Sequence, residues 1–157
     1  MGIEIERKFL VQGDRWRGQG TATAYSQGYI AIEDARTVRV RIAGDRAYLT
    51  IKGPATGLAR PEYEYPIPLA DAQELLDHLC GTPPVEKIRH RIPTSDGLAW
   101  EVDEFLGANA GLILAEIELD DPDRPFERPE WLGTEVSDDP RYRNSYLASH
   151  PYGQWSP

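Results

Sequence analysis

Charged residues spaced two positions apart recur along this sequence, and each such group carries mainly one sign. Carboxylate oxygens are the ligands that hard divalent cations prefer, and lysine and arginine suit phosphate oxygens. A site that gathered both signs could therefore hold a metal ion together with a phosphate compound. The acidic groups are Glu4 and Glu6, Glu62 and Glu64, Glu101 and Asp103, and Glu116 and Glu118; the basic residues are Lys8, Arg39, Arg41, Lys52, Arg60, Lys87, Arg89 and Arg91.

A spacing of two places side chains on the same face of a β-strand, so these groups indicate strands with one charged face. Stretches rich in glycine and aspartate, such as residues 43–45, 53–57 and 95–97, separate the segments and predict antiparallel connections. About eight strands are predicted, within residues 3–9, 25–32, 37–42, 47–52, 62–67, 85–92, 99–105 and 112–119.

One segment has helical rather than strand periodicity. Residues 68–79 place apolar side chains at spacings of three and four, which predicts an amphipathic helix that packs on a sheet. Short helices are also predicted at residues 130–133 and 143–149, with breaks at Gly133 and Pro140. The chain of 157 residues has the size of one domain, 1–157, and the segment from about 150 to 157 is a candidate for a disordered tail.

The residues by themselves allow two arrangements of the charged faces. They could point to solvent on open antiparallel sheets, as charged strand faces often do. They could instead converge inside a closed barrel, with aliphatic alternate faces covered by helices on the outside. Grouping one sign on each strand gives an open sheet little stabilisation, whereas an interior holding both signs would suit a metal bound to phosphate.

The composition excludes several classes of protein. With 26 acidic and 17 basic side chains the net charge is -9, so general attraction to nucleic acid or to an anionic membrane is not expected, and a polyanion would need a local basic cluster. Cys80 is the single cysteine, and no apolar run could span a bilayer, which predicts a cytoplasmic protein. His78 and His90 are poorly placed as ligands or bases, and Trp16 is expected to be partly exposed.

The ordered set of charged groups resembles the CYTH superfamily, the triphosphate tunnel metalloenzymes. Residues 4–8 read Glu-Ile-Glu-Arg-Lys, the ExExK pattern of that family, and nearly the whole chain follows in family order. The resemblance implies a mostly β (α+β) fold, an eight-stranded antiparallel closed β-barrel with charged residues inside the tunnel and helices packed outside. The further matching segments are 27–30, 38–41, 49–52, 60–64, 85–89, 101–105, 116–118 and 141–148.

The resemblance also implies roles for individual residues. Expected metal ligands are Glu4, Glu6, Asp103, Glu116 and Glu118, with Glu62, Glu64 and Glu101 as further acidic contributors. Expected phosphate-binding residues are Lys8, Arg39, Arg41, Lys52, Arg60, Lys87 and Arg89. Arg143 and Ser145 stand where relatives often carry a lysine, so the contribution of the C-terminal segment is left open.

The implied activity is divalent-metal-dependent hydrolysis of a short triphosphate, in the first place inorganic tripolyphosphate to pyrophosphate and phosphate. Two Mg²⁺ or Mn²⁺ ions are expected, with Glu4, Glu6 and Lys87 as catalytic residues. The general base would be either metal-bound hydroxide assisted by a carboxylate or a lysine of lowered pKa such as Lys87. A monomer or homodimer is expected.

Other functions stay open on the sequence. A class IV adenylyl cyclase or a thiamine triphosphatase would use the same charges, although no insertion that could form a base pocket is evident. A non-catalytic module that binds polyphosphate or nucleotides would also need these cations. A barrel that carries an apolar ligand is the structural alternative.

Overall fold

Nine strands form one antiparallel sheet in the computed structural model, which describes residues 2–156. The strands lie in the order β5-β4-β3-β2-β6-β7-β8-β1-β9, and β5 also pairs with β1, so that β1 to β8 close into a barrel. The predicted eight-stranded closed barrel is therefore confirmed. In chain order the strands β1 to β9 are Ile3–Val11, Thr21–Glu33, Arg36–Ala43, Arg46–Lys52, Ala59–Ile67, Val85–Pro93, Ala99–Phe105, Ile113–Glu118 and Leu132–Glu135.

Strand β1 closes the barrel by using both of its edges. One edge pairs with β8 from Glu6 to Leu10, and the other pairs with β5 over Ile3 to Ile5. Beyond that short contact with β5, the same edge pairs with β9, between Phe9 and Val11. The ninth strand therefore satisfies backbone groups of β1 that the barrel itself leaves free.

This pairing corrects one prediction from the sequence. The segment 130–133 was expected to be a short helix, but Leu132–Glu135 is strand β9. The unpaired edge of β1 offers hydrogen bonds that a four-residue helix could not match, and tertiary pairing overrides local preference in so short a segment.

Two α-helices lie outside the barrel, as predicted. Helix α1, Leu69–His78, buries Ala72 and Leu76 against the outer face of β2, β3 and β4. Helix α2, Asn144–Ser149, buries Leu147 and Ala148. Short 3-10 helices lie at Gly107–Asn109, Pro140–Tyr142 and Tyr152–Gln154. No helix among residues 2–156 is long and apolar enough to cross a membrane.

Gly28 permits the close approach of α1 to the barrel. A Cβ atom at this position of β2 would lie 2.9 Å from Cys80 Sγ and 3.0 Å from Leu76 Cδ2. These distances are shorter than ordinary van der Waals contacts, so only a residue without a side chain fits there.

Apolar clusters surround the charged interior. The largest packs Phe9, Trp16, Trp100 and Trp131 between the barrel wall and its connecting loops. Trp16 is completely buried, which corrects the prediction of partial exposure: its indole N–H donates to Gly13 O at 3.2 Å, and so the ring can enter the core with its polar atom satisfied.

The segment after α2 packs on a second apolar cluster. Tyr152 and Trp155 contact this cluster, and the indole N–H of Trp155 donates to His150 O at 2.9 Å. Residue 157 of the predicted tail lies outside the described residues. The single-domain assignment for residues 1–157 stays a prediction.

Candidate active site

The charged strand faces point inward and line a cavity of about 290 Å³ along the barrel. Because side chains alternate along each strand, the apolar faces turn outward to the helices and loops. All the predicted site residues except Asp103 lie in the cavity wall. This arrangement excludes both the solvent-facing alternative and a barrel with an apolar interior.

Strand register sets residues of opposite charge beside each other around much of the wall. Lys8 lies opposite Glu116, and Lys52 lies opposite Glu62. Lys52 Nζ is 2.9 Å from a carboxylate oxygen of Glu4 and 3.3 Å from one of Glu62, and Lys8 Nζ is 3.5 Å from Glu116. The grouping of signs by strand thus becomes charge pairing between strands, which stabilises a buried charged interior.

Glu6 and Glu118 depart from this pairing because two carboxylates face each other. They are direct cross-strand neighbours on β1 and β8, and no lysine, arginine or histidine among residues 2–156 forms an ion pair with either of them. Burial raises the pKa of Glu6 to about 8, with further contributions from Glu116 and Glu4. Partial burial, together with Glu4 and Glu62, raises the pKa of Glu118. This pair is an uncompensated acidic position in the wall.

Glu116 differs from Glu6 although it lies beside it. Burial favours the neutral acid, but the positive charges of Lys8 and Arg89 outweigh that effect and hold the pKa of Glu116 well below its ordinary value. On the neighbouring strand Glu101 lies opposite Glu116, and its carboxylate is 3.3 Å from Arg89. The acidic side of the cavity therefore mixes ionised and protonated carboxyl groups at neutral pH.

Arg41 and Arg39 form the least compensated part of the basic side. No carboxylate among the described residues 2–156 lies within ion-pair distance of Arg41, whose Nε donates to Gln27 Oε1 at 2.8 Å. Burial lowers the pKa of Arg41 to about 10, with Arg39 and Arg89 adding repulsion, so the group is still charged at neutral pH. Arg39 pairs with Glu64 at 3.5 Å, yet its buried Nε has no hydrogen-bond partner within residues 2–156. The charge of Arg41 and the Nε–H donor of Arg39 are therefore suited to bind an anion.

Asp103 lies behind the cavity wall with no exposed surface. Its oxygens accept from Lys87 Nζ at 2.7 Å and from Arg89 Nε and Nη2 at 2.8 and 2.9 Å. Burial favours the neutral acid, but Arg89 and Lys87 outweigh it and lower the pKa of Asp103. The structure thus places Asp103 as the partner of two cations, apart from the other residues predicted as metal ligands.

Two hydrogen-bond acceptors hold Lys87, and its Nζ also lies over the rings of Tyr25 and Phe105. Its Nζ donates to Asp103 and also to Asn144 Oδ1, the latter at 3.0 Å. Burial lowers the pKa of Lys87 to about 7; the attraction of Asp103 opposes this effect, and repulsion by Arg89 and Arg41 adds to it. A neutral amine at this position would use both N–H groups on these two acceptors, which leaves its lone pair free.

The C-terminal segment forms part of the wall, which answers the question that the sequence left open. Arg143, Asn144 and Ser145 line the cavity, and Lys8 Nζ donates to Tyr142 O at 2.9 Å.

Arg60 also lines the cavity but donates to two backbone carbonyls, Gly53 O and Ala35 O. Arg60 therefore anchors the loop between β4 and β5 as well as facing the interior.

Sequence reasoning missed the uncharged residues of the wall. Tyr25 and Tyr29 of β2 line the cavity, and Gln27 between them is fully buried. The Tyr25 ring centroid lies 4.9 Å from the guanidinium carbons of both Arg41 and Arg89. These three residues share a spacing of two, so the signal was present, but without charge it did not distinguish them from ordinary strand residues.

The carboxylates of the wall are suitable ligands for a divalent cation, although in the part of the chain that the structure describes they are not arranged as a preassembled metal site. Within residues 2–156 no three His, Cys, Asp or Glu side chains form a preassembled metal centre. However, burial and neighbouring carboxylates raise the pKa of both Glu6 and Glu118, so a nearby positive charge would favour their ionised forms. Both residues supply the oxygen ligands that Mg²⁺ and Mn²⁺ accept.

Comparison with known proteins places the chain in a family. The CYTH domain model matches residues 2–145. An inorganic triphosphatase of Acetivibrio thermocellus is 50% identical over 152 residues, covering 97% of each chain. One of Nitrosomonas europaea is 37% identical over 148 residues, covering 92% of this chain and 96% of that protein. The crystal structure of an inorganic triphosphatase superposes with a TM-score of 0.67 at 35% identity, covering 92% of this chain and 97% of that one. The chain belongs to the CYTH domain family.

Proposed function

We propose that the protein hydrolyses inorganic tripolyphosphate to pyrophosphate and phosphate with a divalent cation. The observation that carries this proposal is the pattern of uncompensated charge in the cavity. Glu6 and Glu118 lack a cation on one side, and Arg41 lacks an anion on the other. A polyphosphate with a bound divalent ion supplies both missing partners together.

The phosphate chain lies among the basic residues in this proposal. Arg39 and Arg41 bind it most strongly, because the buried Nε of Arg39 and the charge of Arg41 are unpaired in the described part of the chain. The other phosphate-binding residues predicted from the sequence already have partners among the described residues and add to the positive potential of that side. They are Lys8, Lys52, Arg60, Lys87 and Arg89.

The metal-binding residues in this proposal are Glu4, Glu6, Glu116 and Glu118, with Glu62, Glu64 and Glu101 within the same wall. Mg²⁺ or Mn²⁺, as one or two ions, would neutralise phosphate oxygens and favour attack by water. Binding there would displace the proton of Glu6, whose pKa of about 8 reflects the cost of ionising this carboxyl group without a cation. Asp103 has a different role in this proposal: its oxygens accept hydrogen bonds from Lys87 and Arg89 and so position these two cations.

Lys87 accepts the proton from the attacking water. With a pKa near 7 its amine is partly neutral at physiological pH, and Asp103 and Asn144 occupy both N–H groups of the neutral form. The water oxygen forms the new bond to the terminal phosphorus, the bridging P–O bond breaks, and pyrophosphate leaves. Positioning and charge neutralisation account for most of the acceleration of such reactions.

A small inorganic substrate fits the wall better than a nucleotide. The ring of Tyr25 is already in contact with the guanidinium groups of Arg41 and Arg89, which would compete with a base for stacking on it. The two relatives that carry the name inorganic triphosphatase match nearly the full length of this chain. We further propose a cytoplasmic monomer or homodimer whose partner is the polyphosphate, without nucleic acid or membrane.

A phosphate-release assay tests the function. Purified protein is given tripolyphosphate, pyrophosphate, ATP or thiamine triphosphate, each with Mg²⁺, Mn²⁺ or EDTA. We expect release from tripolyphosphate only with a divalent cation, and much slower turnover of ATP. Formation of cyclic AMP at an equal or greater rate would assign a cyclase instead, faster turnover of thiamine triphosphate would assign that substrate, and binding without turnover would indicate a non-catalytic module.

A further inference from the structure

Two neutral amide side chains join the basic side of the cavity to the C-terminal helix. Gln27 Nε2 donates to Asn144 Oδ1 at 2.9 Å, and Gln27 Oε1 accepts from Arg41 Nε at 2.8 Å. Asn144 Oδ1 also accepts from Lys87 Nζ at 3.0 Å. We call Gln27 and Asn144 the amide pair. Each of the two cations donates to an amide oxygen of the pair, and the Gln27 N–H donor joins the two amides.

The amide pair connects four separate elements. Gln27 belongs to β2 and Asn144 begins α2, while Arg41 and Lys87 belong to β3 and β6. Gln27 has no exposed surface and is absent from the cavity wall, so it acts on a bound molecule only through its neighbours. Asn144 does reach the wall. The pair therefore connects α2 with two cations of the barrel.

Neutral acceptors hold a cation without cancelling its charge. Carboxylates hold other cations of the cavity: Lys52, for example, lies between Glu4 and Glu62, and these ion pairs must open or be shared before the lysine can bind phosphate. Arg41 instead is oriented by Gln27 Oε1 and the face of Tyr25, and both of these are uncharged. A buried cation fixed in this way keeps its full attraction for an anion.

We propose that Gln27 and Asn144 are positioning residues, which fix Arg41 and Lys87 for the triphosphate by neutral hydrogen bonds and make α2 part of the site. This inference rests on the proposed function for its substrate. It predicts that the identity of the two residues as amides, and not only their size, determines how well the substrate binds.

The first test replaces an amide by a carboxylate of the same shape. Gln27→Glu keeps the acceptor for Arg41 but adds a charge and removes the donor to Asn144. We expect tripolyphosphate to bind at least tenfold more weakly, measured by titration calorimetry in EDTA and again with Ca²⁺. Gln73→Glu adds the same charge on the exposed face of α1 and serves as the control. Equal affinities for the two variants would overturn the proposal.

The second test removes the contacts and measures their coupling. Gln27→Met, Asn144→Leu and the double variant are compared for kcat and KM, after melting curves confirm that each is folded. We expect KM to rise about tenfold or more in each single variant, with little additional loss in the double variant, because the residues act as one unit. Effects that simply multiply would show that they act independently, which contradicts the proposal.

These tests separate the two proposals. Tight binding of tripolyphosphate by the wild type without hydrolysis would refute the proposed function, while the binding comparison of Gln27→Glu with Gln73→Glu would still decide the role of the amides. Hydrolysis by the wild type together with wild-type binding and KM in the amide variants would refute the further inference alone. If Gln27→Met or Asn144→Leu does not fold, the Gln27→Glu comparison decides.

Discussion

At the scale of single residues, the function depends on which charges the protein leaves uncompensated. Most charged side chains of the cavity are paired, as Lys52 is with Glu4. Glu6 and Glu118 face each other, and Arg41 has only neutral partners among the described residues. Pairing these carboxylates and Arg41 with opposite charges would make the fold more stable. Their lack of ion-pair partners within residues 2–156 is best explained by a ligand that supplies the opposite charges.

The first prediction concerns the pH dependence of stability without metal. The pKa of Glu6 is raised to about 8 in the folded protein from an ordinary 4.5. Between these values the unfolded chain ionises while folded Glu6 stays protonated, so this residue lowers the unfolding free energy as pH rises, and the effect is absent below 4.5. We therefore expect the unfolding free energy of Glu6→Gln to be higher than that of wild type by ~1 kcal/mol or more at pH 8.

Denaturant melts in EDTA at pH 4 and pH 8 measure that difference. The exposed Glu127 provides the matched control, Glu127→Gln, which should follow wild type at both pH values. A Glu6→Gln protein that is less stable than wild type at pH 8 would mean that Glu6 stabilises the fold as an ionised partner, against the role proposed here.

The second prediction separates acidic from basic roles in turnover. Glu118→Gln should lower kcat by about 100-fold or more, since a metal contributes several kcal/mol to the transition state. Arg41→Met should mainly raise KM, by roughly tenfold, as loss of one charge-assisted contact to phosphate predicts. Steady-state kinetics with tripolyphosphate and Mg²⁺ measure both. Wild-type values for either variant would remove that residue from the site.

At the scale of elements, helices and loops hold the barrel in the shape that the site needs. Helix α1 covers β2 to β4 through Ala72 and Leu76, and α2 brings Asn144 into the wall. Strand β9 occupies the edge of β1 that β5 leaves free. These elements contribute apolar burial outside, which offsets the cost of a charged interior.

The third prediction tests the contact between α1 and the barrel. Gly28→Ala places a methyl group 2.9 Å from Cys80 Sγ and 3.0 Å from Leu76 Cδ2, so the helix must shift. We expect a loss of about 1–3 kcal/mol in unfolding free energy. Addition of Cys80→Ala should restore part of this loss, because one of the two contacts is relieved.

Gly81 provides the control for this substitution. A Cβ at Gly81 meets no atom within 4 Å, and so Gly81→Ala should leave the free energy of unfolding nearly unchanged. Urea denaturation of all four proteins gives the comparison. Equal losses for Gly28→Ala and Gly81→Ala would show that close packing at Gly28 is not what holds α1.

At the scale of the whole molecule, the closed barrel joins residues from both ends of the chain into one site. Strand β1 pairs with β5, β8 and β9, and Lys8 donates to the carbonyl of Tyr142 in the C-terminal segment. Ligand binding in such a cavity must act on the stability of the entire chain rather than on one part of it.

The fourth prediction is a single melting transition that ligand shifts as a whole. Tripolyphosphate with Ca²⁺ at 100 times its dissociation constant adds ~2.7 kcal/mol. For a chain of this size that raises the Tm by roughly 5–10 °C. At the same concentrations the Tm of Glu6→Gln should rise much less, because this variant lacks the carboxylate proposed to bind the metal. Two separate transitions in calorimetry would contradict a single domain, and an equal shift in Glu6→Gln would remove Glu6 from the metal site.

The spacing of charged residues in the sequence was enough to assign them to shared strand faces, and it predicted which of them carry the chemistry. The spacing of Glu4, Glu6 and Lys8, and of Arg39 and Arg41, is a local property, because side chains of a strand alternate whatever the rest of the chain does. The apolar spacing in residues 68–79 likewise determined helix α1. The family resemblance then connected these faces to a closed tunnel.

Only the tertiary structure decided which charges are neutralised. Lys8 lies beside Glu116 and Glu6 beside Glu118 because of the register between β1 and β8, more than a hundred positions apart in the chain. The register between β6 and β7 sets Asp103 beside Lys87 and Arg89, and the packing of α2 on the barrel brings Asn144 into the wall. Register, barrel closure and the pairing of β9 follow from hydrogen bonds and packing between distant segments, which no local spacing encodes.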